Sequence, residues 1–463
     1  MMGSISSEDQ EAHPSSSSSS DLAHHHFLQL TLPQLLPPPP PLSLSLSSAS
    51  SSTSFSSPSF QCQTFNSVTA TTPQMRQLLI KCAELTSQSD FSAAHRLLVL
   101  LLERSSPDGD SVERLVHHFA KAISYRLNNI INPSVNNFIP FIFSSPSSTI
   151  STSNLNQQPC SDALHHSTFL TLNKITPFIR FIHLTANQAI LEAVDGESDI
   201  HILDFDIMQG FQWPPFMQAL AERFSSSDHH HHHHPPMLRI TGTGHDMDVL
   251  MRTGDRLLKF AQSLNLRFQF NPLLLHHTTD LISSLFTPLL HQHETLAVNC
   301  ILHLHKFTDE TLYKLLSTIK SSNPRIVTFA EREANHKTPI FLHRFVEALD
   351  HYSAIFNSLE ANLPPSSQER LAVEQVWFGS EILDIVGMQG ANRREMHRRF
   401  ESWEVMLRSS GFSKVPLSSF AFSQAKLLLR LHYPSEGYKI QNFSDCFFLS
   451  WKNRLLFSIS SWH

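Results

Sequence analysis

The spacing of hydrophobic and polar positions changes character twice along the chain. Up to residue 72, serine and proline runs interrupt the apolar stretches, and neither a helical nor a strand period is present. From 73 to 195, apolar residues recur every three or four positions, which predicts amphipathic helices. From 196 onward, short β-rich runs alternate with helical stretches, which predicts βαβ units. We therefore expect a disordered N-terminal region, residues 1–72, and a folded region, residues 73–463.

The folded region contains five runs with the length and composition of buried strands. They are residues 200–204, 237–241, 266–270, 296–302 and 325–330. Helices are predicted over 339–358, 368–386 and 393–409. The last strands, over 438–441, 446–451 and 455–461, have short connections that indicate antiparallel pairing. The pattern predicts an α/β fold with a Rossmann-like, methyltransferase-like sheet that is mostly parallel, and an α-helical cap built mainly from residues 73–195.

Composition narrows the choice of function. The chain has 463 residues and a formal net charge of -6. A protein that binds the DNA backbone usually carries a basic face, so this balance favours indirect or weak DNA contact. A local basic patch stays open, and residues 393–399 form the densest cluster. The five cysteines are scattered without a CxxC pair, so they suggest neither a disulfide framework nor a zinc site. No apolar run approaches the ~20 residues of a membrane helix.

The segment after the first strand argues against a bound nucleotide cofactor. Such sites need a glycine-rich turn where the backbone approaches the cofactor closely. Here the bulky residues Phe205, Ile207 and Met208 follow the strand, with a single glycine, Gly210. The second strand ends in Thr-Gly-Thr-Gly, over 241–244, instead of the acid that binds ribose hydroxyls. We therefore predict no cofactor and no enzymatic activity, and keep an S-adenosylmethionine-dependent methyltransferase as the lesser alternative.

Two other groups of residues are candidates for a catalytic or metal-binding site. Asp204 and Asp206 stand at a strand end and could form a catalytic or metal-binding pair, but without a third ligand we favour a role in capping the following turn and helix. Six consecutive histidines, residues 229–234, could bind nickel or zinc. Serine and proline flank this run, which favours a low-complexity loop insertion.

A leucine run lies in the predicted second helix. It consists of Leu97, Leu98, Leu100, Leu101 and Leu102. At 100° per residue these side chains cannot all face one side of a helix, so some must meet a second surface. That surface is either another helix of the same chain or a partner. We expect a homodimer or heterodimer contact here, with complete burial within the chain as the alternative.

Several motifs, in order, resemble the GRAS family from residue 73 onward. Residues 74–129 and 246–290 resemble its two leucine-rich regions, and 200–204, which include His201 and Asp204, resemble its VHIID motif. The stretch 393–398 resembles the family's RVERHE stretch with departures at three positions. The remaining matches are to the PFYRE and SAW regions, and they rest on Pro324, Phe345, Tyr352, Arg370, Glu381, Trp403, Gly411, Trp451 and Trp462.

Within the family, residues 184–191, 330–336 and 422–434 resemble the Lateral suppressor type. The resemblance implies a nuclear transcriptional regulator that acts through protein–protein contacts with DNA-binding transcription factors, and also with other GRAS proteins. It implies a role in axillary meristem initiation and shoot branching. A direct, sequence-specific DNA-binding transcription factor is the alternative, and a basic groove would distinguish it.

Overall fold

The computed structural model describes residues 72–131, 158–226, 235–275 and 293–463. All of these belong to one unit, which begins at Thr72. Residues 1–71, most of the region predicted to be disordered, lie outside the described ranges, as does the histidine run. Among the helices described, none is both long and apolar enough to cross a membrane.

Helices make up the first part of the described chain. They are α1 (Thr72–Ser87), α2 (Phe91–Arg104), α3 (Ser111–Ile131), α4 (Gln158–Ile175) and α5 (Phe178–Ala193). Local side chains define two of the starts. Asp90 Oδ1 accepts from the backbone N–H of Ala93 at 3.1 Å and so caps α2. Ahead of α3, Asp110 Oδ1 accepts from Glu113 N, and Glu113 Oε2 accepts from Asp110 N, which is a reciprocal capping box.

The sheet confirms the predicted fold class. Its strands are β1 (Asp199–Phe205), β2 (Met237–Gly244), β3 (Arg267–Leu274), β4 (Thr295–Ile301), β5 (Ile326–Arg332), β6 (Lys414–Val415), β7 (Tyr438–Phe443), β8 (Cys446–Trp451) and β9 (Arg454–Trp462). Their order is β3-β2-β1-β4-β5-β9-β8-β7, and β6 pairs with β9. Strands β1 to β5 are parallel, whereas β7, β8 and β9 are antiparallel. The antiparallel edge is the methyltransferase-like feature that the short final connections predicted.

The other helices connect and cover these strands. They are α6 (Trp213–Ser226), α7 (Met247–Ser263), α8 (Asp309–Ser321), α9 (Phe341–Asn362), α10 (Gln368–Ala372), α11 (Gly379–Ile382), α12 (Phe400–Ser409) and α13 (Ser419–His432). The helix predicted over 368–386 is present, but π-helical turns at Val373–Phe378 and Leu383–Gly387 interrupt it.

The helix predicted over 393–409 is wrong in its first half, because α12 begins only at Phe400. The preceding backbone is engaged elsewhere. The N–H groups of Arg394 and Glu395 donate to Asp384, and the carbonyl of His397 accepts from the N–H groups of His336 and Lys337. These bonds hold the basic stretch in an extended path against the fold.

The helical layer draws on two parts of the sequence. Phe119 of α3 meets Phe345 of α9 edge to face, with ring centroids 5.4 Å apart. Arg114 of α3 makes a bidentate ion pair with Glu374, at 2.8 and 3.1 Å, and both side chains are buried. The cap therefore contains residues of the segment 341–387 as well as the first helices.

Candidate functional site

The candidate site lies at the carboxyl ends of β1 and β4, where the strand order reverses direction. Open α/β sheets bind their ligands at this position. Asp204, near the end of β1, is buried there. Its Oδ2 accepts from the indole N–H of Trp213 at 2.8 Å, and its Oδ1 accepts from Asn299 Nδ2 at 2.7 Å. Asn299 in turn bonds Gln212 and Thr328.

These neighbours are neutral donors, and they shape the chemistry of Asp204. Burial raises the pKa of its carboxyl to about 7, because the hydrogen bonds from Asn299 and Trp213 offset only part of the lost hydration. The expected capping role is wrong, since both oxygens bind side chains and not helix N–H groups. Asp204 instead ties β1 to α6 and β4.

The loop after β1 closes over its own strand ends. Asp206 and Met208 have positive φ angles of 65° and 49°, and Gly210 has a φ of 67°. The N–H of Asp206 donates to Thr243 Oγ1 at 2.8 Å, which holds the loop on β2. A Cβ built on Gly242 would lie 2.8 Å from two Ile207 side-chain carbons, so Ile207 is seated against that glycine.

Asp206 belongs to a separate charged group. Its Oδ2 lies 3.1 Å from His303 Nδ1 and 3.4 Å from Lys306 Nζ. Burial alone would raise the pKa of Asp206, but the nearby Lys306 charge and His303 hold it far below its usual range. Asp204 and Asp206 therefore have different partners: neutral donors bond the first, whereas His303 and Lys306 lie against the second.

A denser cluster surrounds His305, which follows β4. Its Nδ1 lies 2.8 Å from Glu331 Oε2, at the end of β5, and its backbone N–H donates to Glu331 Oε1 at 3.1 Å. Its Nε2 lies 3.1 Å from Glu395 Oε2, which is also 2.9 Å from His397 Nε2. The two imidazole rings lie 4.1 Å apart. We name these four residues the His305 cluster.

Its carboxylates set the protonation of the cluster. Burial would lower the pKa of His305, but Glu331 and Glu395 outweigh burial and raise that pKa to about 9. Burial, followed by the neighbouring His305 charge, lowers the pKa of His397 to about 4. Burial would raise the pKa of both carboxyls, yet the adjacent imidazoles hold each below its usual range. The cluster is thus strongly polarised in a buried setting.

Two residues of the PFYRE-like region adjoin this cluster. Glu381 accepts from the Tyr352 hydroxyl at 2.8 Å and pairs with Arg332 at 2.5 Å. Burial raises the pKa of Glu381 to about 7, although Arg332 opposes it. Tyr352 and Glu381, 29 positions apart in the chain, are therefore brought together.

A cavity of about 250 Å³ joins these groups at the sheet edge. Its lining includes residues of the β1 loop, the charged groups and the helical cap, among them Asp204, Asp206, Met208, His305, Lys306, Arg332, Trp377, Glu381 and Glu395. Apolar side chains make up most of the lining and the charged groups lie among them, an arrangement that can hold a small ligand or a buried ion.

The other motif residues occupy structural positions. His201 is buried on β1, 2.9 Å from Thr241 Oγ1. Gly411 has a φ of 89° at the end of α12, where its N–H and that of Phe412 donate to Arg408 and Leu407 in a Schellman arrangement. The remaining residues, Pro324, Phe345, Arg370, Trp403, Trp451 and Trp462, are buried.

The leucine run divides by face. Leu98 and Leu101 are buried, whereas Leu97, Leu100 and Leu102 are half-buried. Complete burial within the chain therefore does not hold for this helix, and the interface hypothesis stays a prediction.

Sequence analysis missed the partners that complete the site. It identified neither Asn299 nor Glu331 nor His305, although each lies in or just after a strand of the parallel sheet. Polar residues in the carboxyl-terminal halves of β4 and β5 were the available signal, because parallel strands bring these ends to one edge. The contacts of Glu395 and His397 with His305 carry no such signal, because they depend on the extended path of 393–399.

The sequence and the fold are similar to those of known proteins. The GRAS domain family matches residues 75–463. Scarecrow-like protein 18 of Arabidopsis thaliana is 51% identical over 413 residues, which cover 84% of this chain and 91% of that protein. Protein MONOCULM 1 of Oryza sativa subsp. japonica, a relative of the Lateral suppressor type, is 42% identical over 415 residues, with 84% and 88% covered. A crystal structure of SCL7 in Oryza sativa has a TM-score of 0.68 at 32% identity, and the match covers 84% of this chain and 99% of that one.

Proposed function

The chain belongs to the GRAS domain family, and from that premise we propose that it is a nuclear regulator of plant transcription that acts through protein partners. The partners are DNA-binding transcription factors, joined by other GRAS proteins or a second copy of the chain. Contact with DNA is indirect or weak. The process it serves is axillary meristem initiation, and hence shoot branching.

Family membership carries this proposal, and the contact between Ile207 and Gly242 supports its non-enzymatic part. A methyltransferase-like sheet needs close backbone approach at the first loop to hold its cofactor. Here the Ile207 side chain lies against Gly242, two residues before the end of β2. The loop thus serves packing, and the fold is available as a scaffold for partners, with no enzymatic step assigned to it.

Similarity to MONOCULM 1 and to the Lateral suppressor type supports the developmental role. A plant that lacks the chain should form fewer axillary shoots, and the intact chain should restore them. Normal branching in its absence would contradict the role in branching and leave the biochemical proposal standing.

The mode of DNA contact has a direct test. The purified full chain alone should not bind the DNA fragments that it occupies in shoot-apex chromatin. A DNA-binding protein recovered together with the chain should bind those fragments. Removal of that protein should abolish occupancy. Specific retention by the chain alone at physiological salt would favour the direct DNA-binding alternative.

A second measurement separates the regulator from a methyltransferase. Calorimetric titration of the full chain with S-adenosylmethionine should give no binding heat, because Phe205, Ile207 and Met208 stand where the cofactor loop needs small residues. A micromolar dissociation constant would overturn the non-enzyme part of the proposal.

A further inference from the structure

The donor atoms of the His305 cluster converge as metal ligands do. One ligand atom each from His305, Glu331 and His397 can be chosen so that all three lie within 4.8 Å of one another, and all three residues are buried. Tetrahedral zinc with bonds near 2.0–2.1 Å places its donors about 3.3 Å apart. The observed spacing is therefore within a small side-chain adjustment of that geometry.

Glu395 brings a further carboxylate oxygen to the two imidazoles. Its Oε2 lies 3.1 Å from His305 Nε2 and 2.9 Å from His397 Nε2. Neither approach has hydrogen-bond geometry, and both imidazole nitrogens are buried without a hydrogen-bond partner. Buried polar atoms in folded proteins are nearly always satisfied, so two orphaned nitrogens that converge on one carboxylate oxygen need an explanation.

Formal charge points the same way. Three carboxylates meet here, those of Glu331, Glu381 and Glu395. Arg332 pairs with Glu381, and Lys306 is engaged by Asp206. A proton on His305 compensates one of the two remaining carboxylates, Glu331 and Glu395, and leaves one buried negative charge, which is costly. A divalent cation that displaced this proton would neutralise both carboxylates at one point.

We propose that His305, Glu331, Glu395 and His397 form a zinc-binding site. Zn²⁺ would bind Nε2 of both imidazoles together with Glu395, while Glu331 bonds Nδ1 of His305 and orients its ring, and nitrogen and carboxylate donors of this kind suit zinc. His305 and Glu395 also line the cavity, so the ion has a route of entry. The site ties the loop after β4, the end of β5 and the extended segment before α12.

The test must first remove a competing signal, because the chain's own histidine run, 229–234, can bind zinc. The background protein is therefore the full chain with residues 24–26 and 229–234 replaced by serine. It should retain one zinc per chain, by elemental analysis, after dialysis against zinc-free buffer. Added zinc should raise its melting temperature.

The decisive comparison uses two buried histidines in that background. His397→Gln should weaken zinc binding at least tenfold. His351→Gln, the matched control, should bind as the background does, because His351 lies outside the cluster. Equal zinc retention by the two variants would overturn the proposal.

A spectroscopic measurement covers the case in which His397→Gln fails to fold. Cobalt added to the background protein should give the visible absorption of tetrahedral Co²⁺, without the near-ultraviolet band of thiolate ligands. If the visible band is absent, or if zinc-free protein takes up no metal, the proposed zinc site is wrong regardless of how the variants behave.

Discussion

Trp213 donates its indole N–H to Asp204 Oδ2 across 2.8 Å, and both side chains are buried. This bond joins the first residue of α6 to the end of β1. Asn299 holds the other carboxylate oxygen from β4. Three elements therefore meet at one carboxyl group, and the bond from Trp213 should contribute measurably to stability.

Replacing Trp213 by phenylalanine removes that donor. We expect the free energy of unfolding to fall by about 1–3 kcal/mol beyond the packing loss, because a buried acceptor is left unsatisfied. Urea denaturation measures it. Trp403→Phe is the matched control: its ring is equally buried, but its N–H has no hydrogen-bond partner. Equal losses in the two variants would mean that the bond to Asp204 contributes nothing.

The raised pKa of Asp204 predicts a pH dependence. Its folded-state pKa is about 7, against an ordinary value of 3.8. Between these values the folded state holds the proton and the unfolded state does not, so stability falls as pH rises. Asp204→Asn cannot titrate. The free-energy advantage of the native chain over this variant should shrink between pH 5 and pH 7, by up to about 1.4 kcal/mol per pH unit.

Comparison with the variant is needed because other groups titrate in the same range. Burial also raises the pKa values of Glu333 and Glu381 to about 7. Their effects cancel in the difference between the two proteins. If that difference is flat between pH 5 and pH 7, Asp204 is charged throughout and the assigned cause of its pKa is wrong.

The C-terminal strand gives a third prediction. Trp462 is fully buried on β9, opposite Val327 of β5, and its N–H donates to Ser460 Oγ at 2.8 Å. Trp462→Ala should cost about 3–5 kcal/mol, as large buried truncations do. We expect poor folding and not a selective loss of partner binding. His463→Ala, at an exposed neighbour, is the control. Normal melting of Trp462→Ala with lost partner binding would indicate a direct contact role.

The sheet was predictable because burial on both faces leaves a strong trace in the sequence. The run at 200–204 lies within β1, and the run at 325–330 overlaps β5 in all but its first residue. The antiparallel edge followed from connection length alone. The helix predicted over 393–399 from apolar spacing is absent. The backbone there bonds Asp384, His336 and Lys337 instead of forming helical hydrogen bonds, and the spacing of apolar residues does not indicate such contacts.

The site was predictable only in part. The bulky residues of the first loop were visible in the sequence because they are a local feature, whereas the packing of Ile207 against Gly242 on a different strand was not. The His305 cluster joins residues 305, 331, 395 and 397, which come from three separate segments. Such a cluster depends on the order of strands in the sheet and on an irregular loop. The spacing of apolar residues in the sequence predicts neither.

The last prediction concerns association through α2. Leu98 and Leu101 point to the same side as the buried Ala94, and at 100° per residue Leu100 lies well away from them. Beside it, Val99 is 42% exposed. Leu100 and Val99 therefore lie on the outer side of a helix whose inner face is already packed, beside the exposed charged residues Arg96 and Glu103. Leu100→Arg should weaken self-association or partner association at least tenfold, which needs more than about 1.4 kcal/mol.

Light scattering on the full chain and a melting curve together measure this effect. A charge that meets an apolar partner surface is costly, whereas the same charge in water is not, so the melting temperature should stay near that of the native chain. Leu98→Arg should unfold the protein, since Leu98 is only 2% exposed. Ser317→Arg, at an exposed position of α8, controls for added charge and should leave both measurements unchanged. Unaltered association of Leu100→Arg would place the partner contact on another surface and leave the outer face of α2 to solvent.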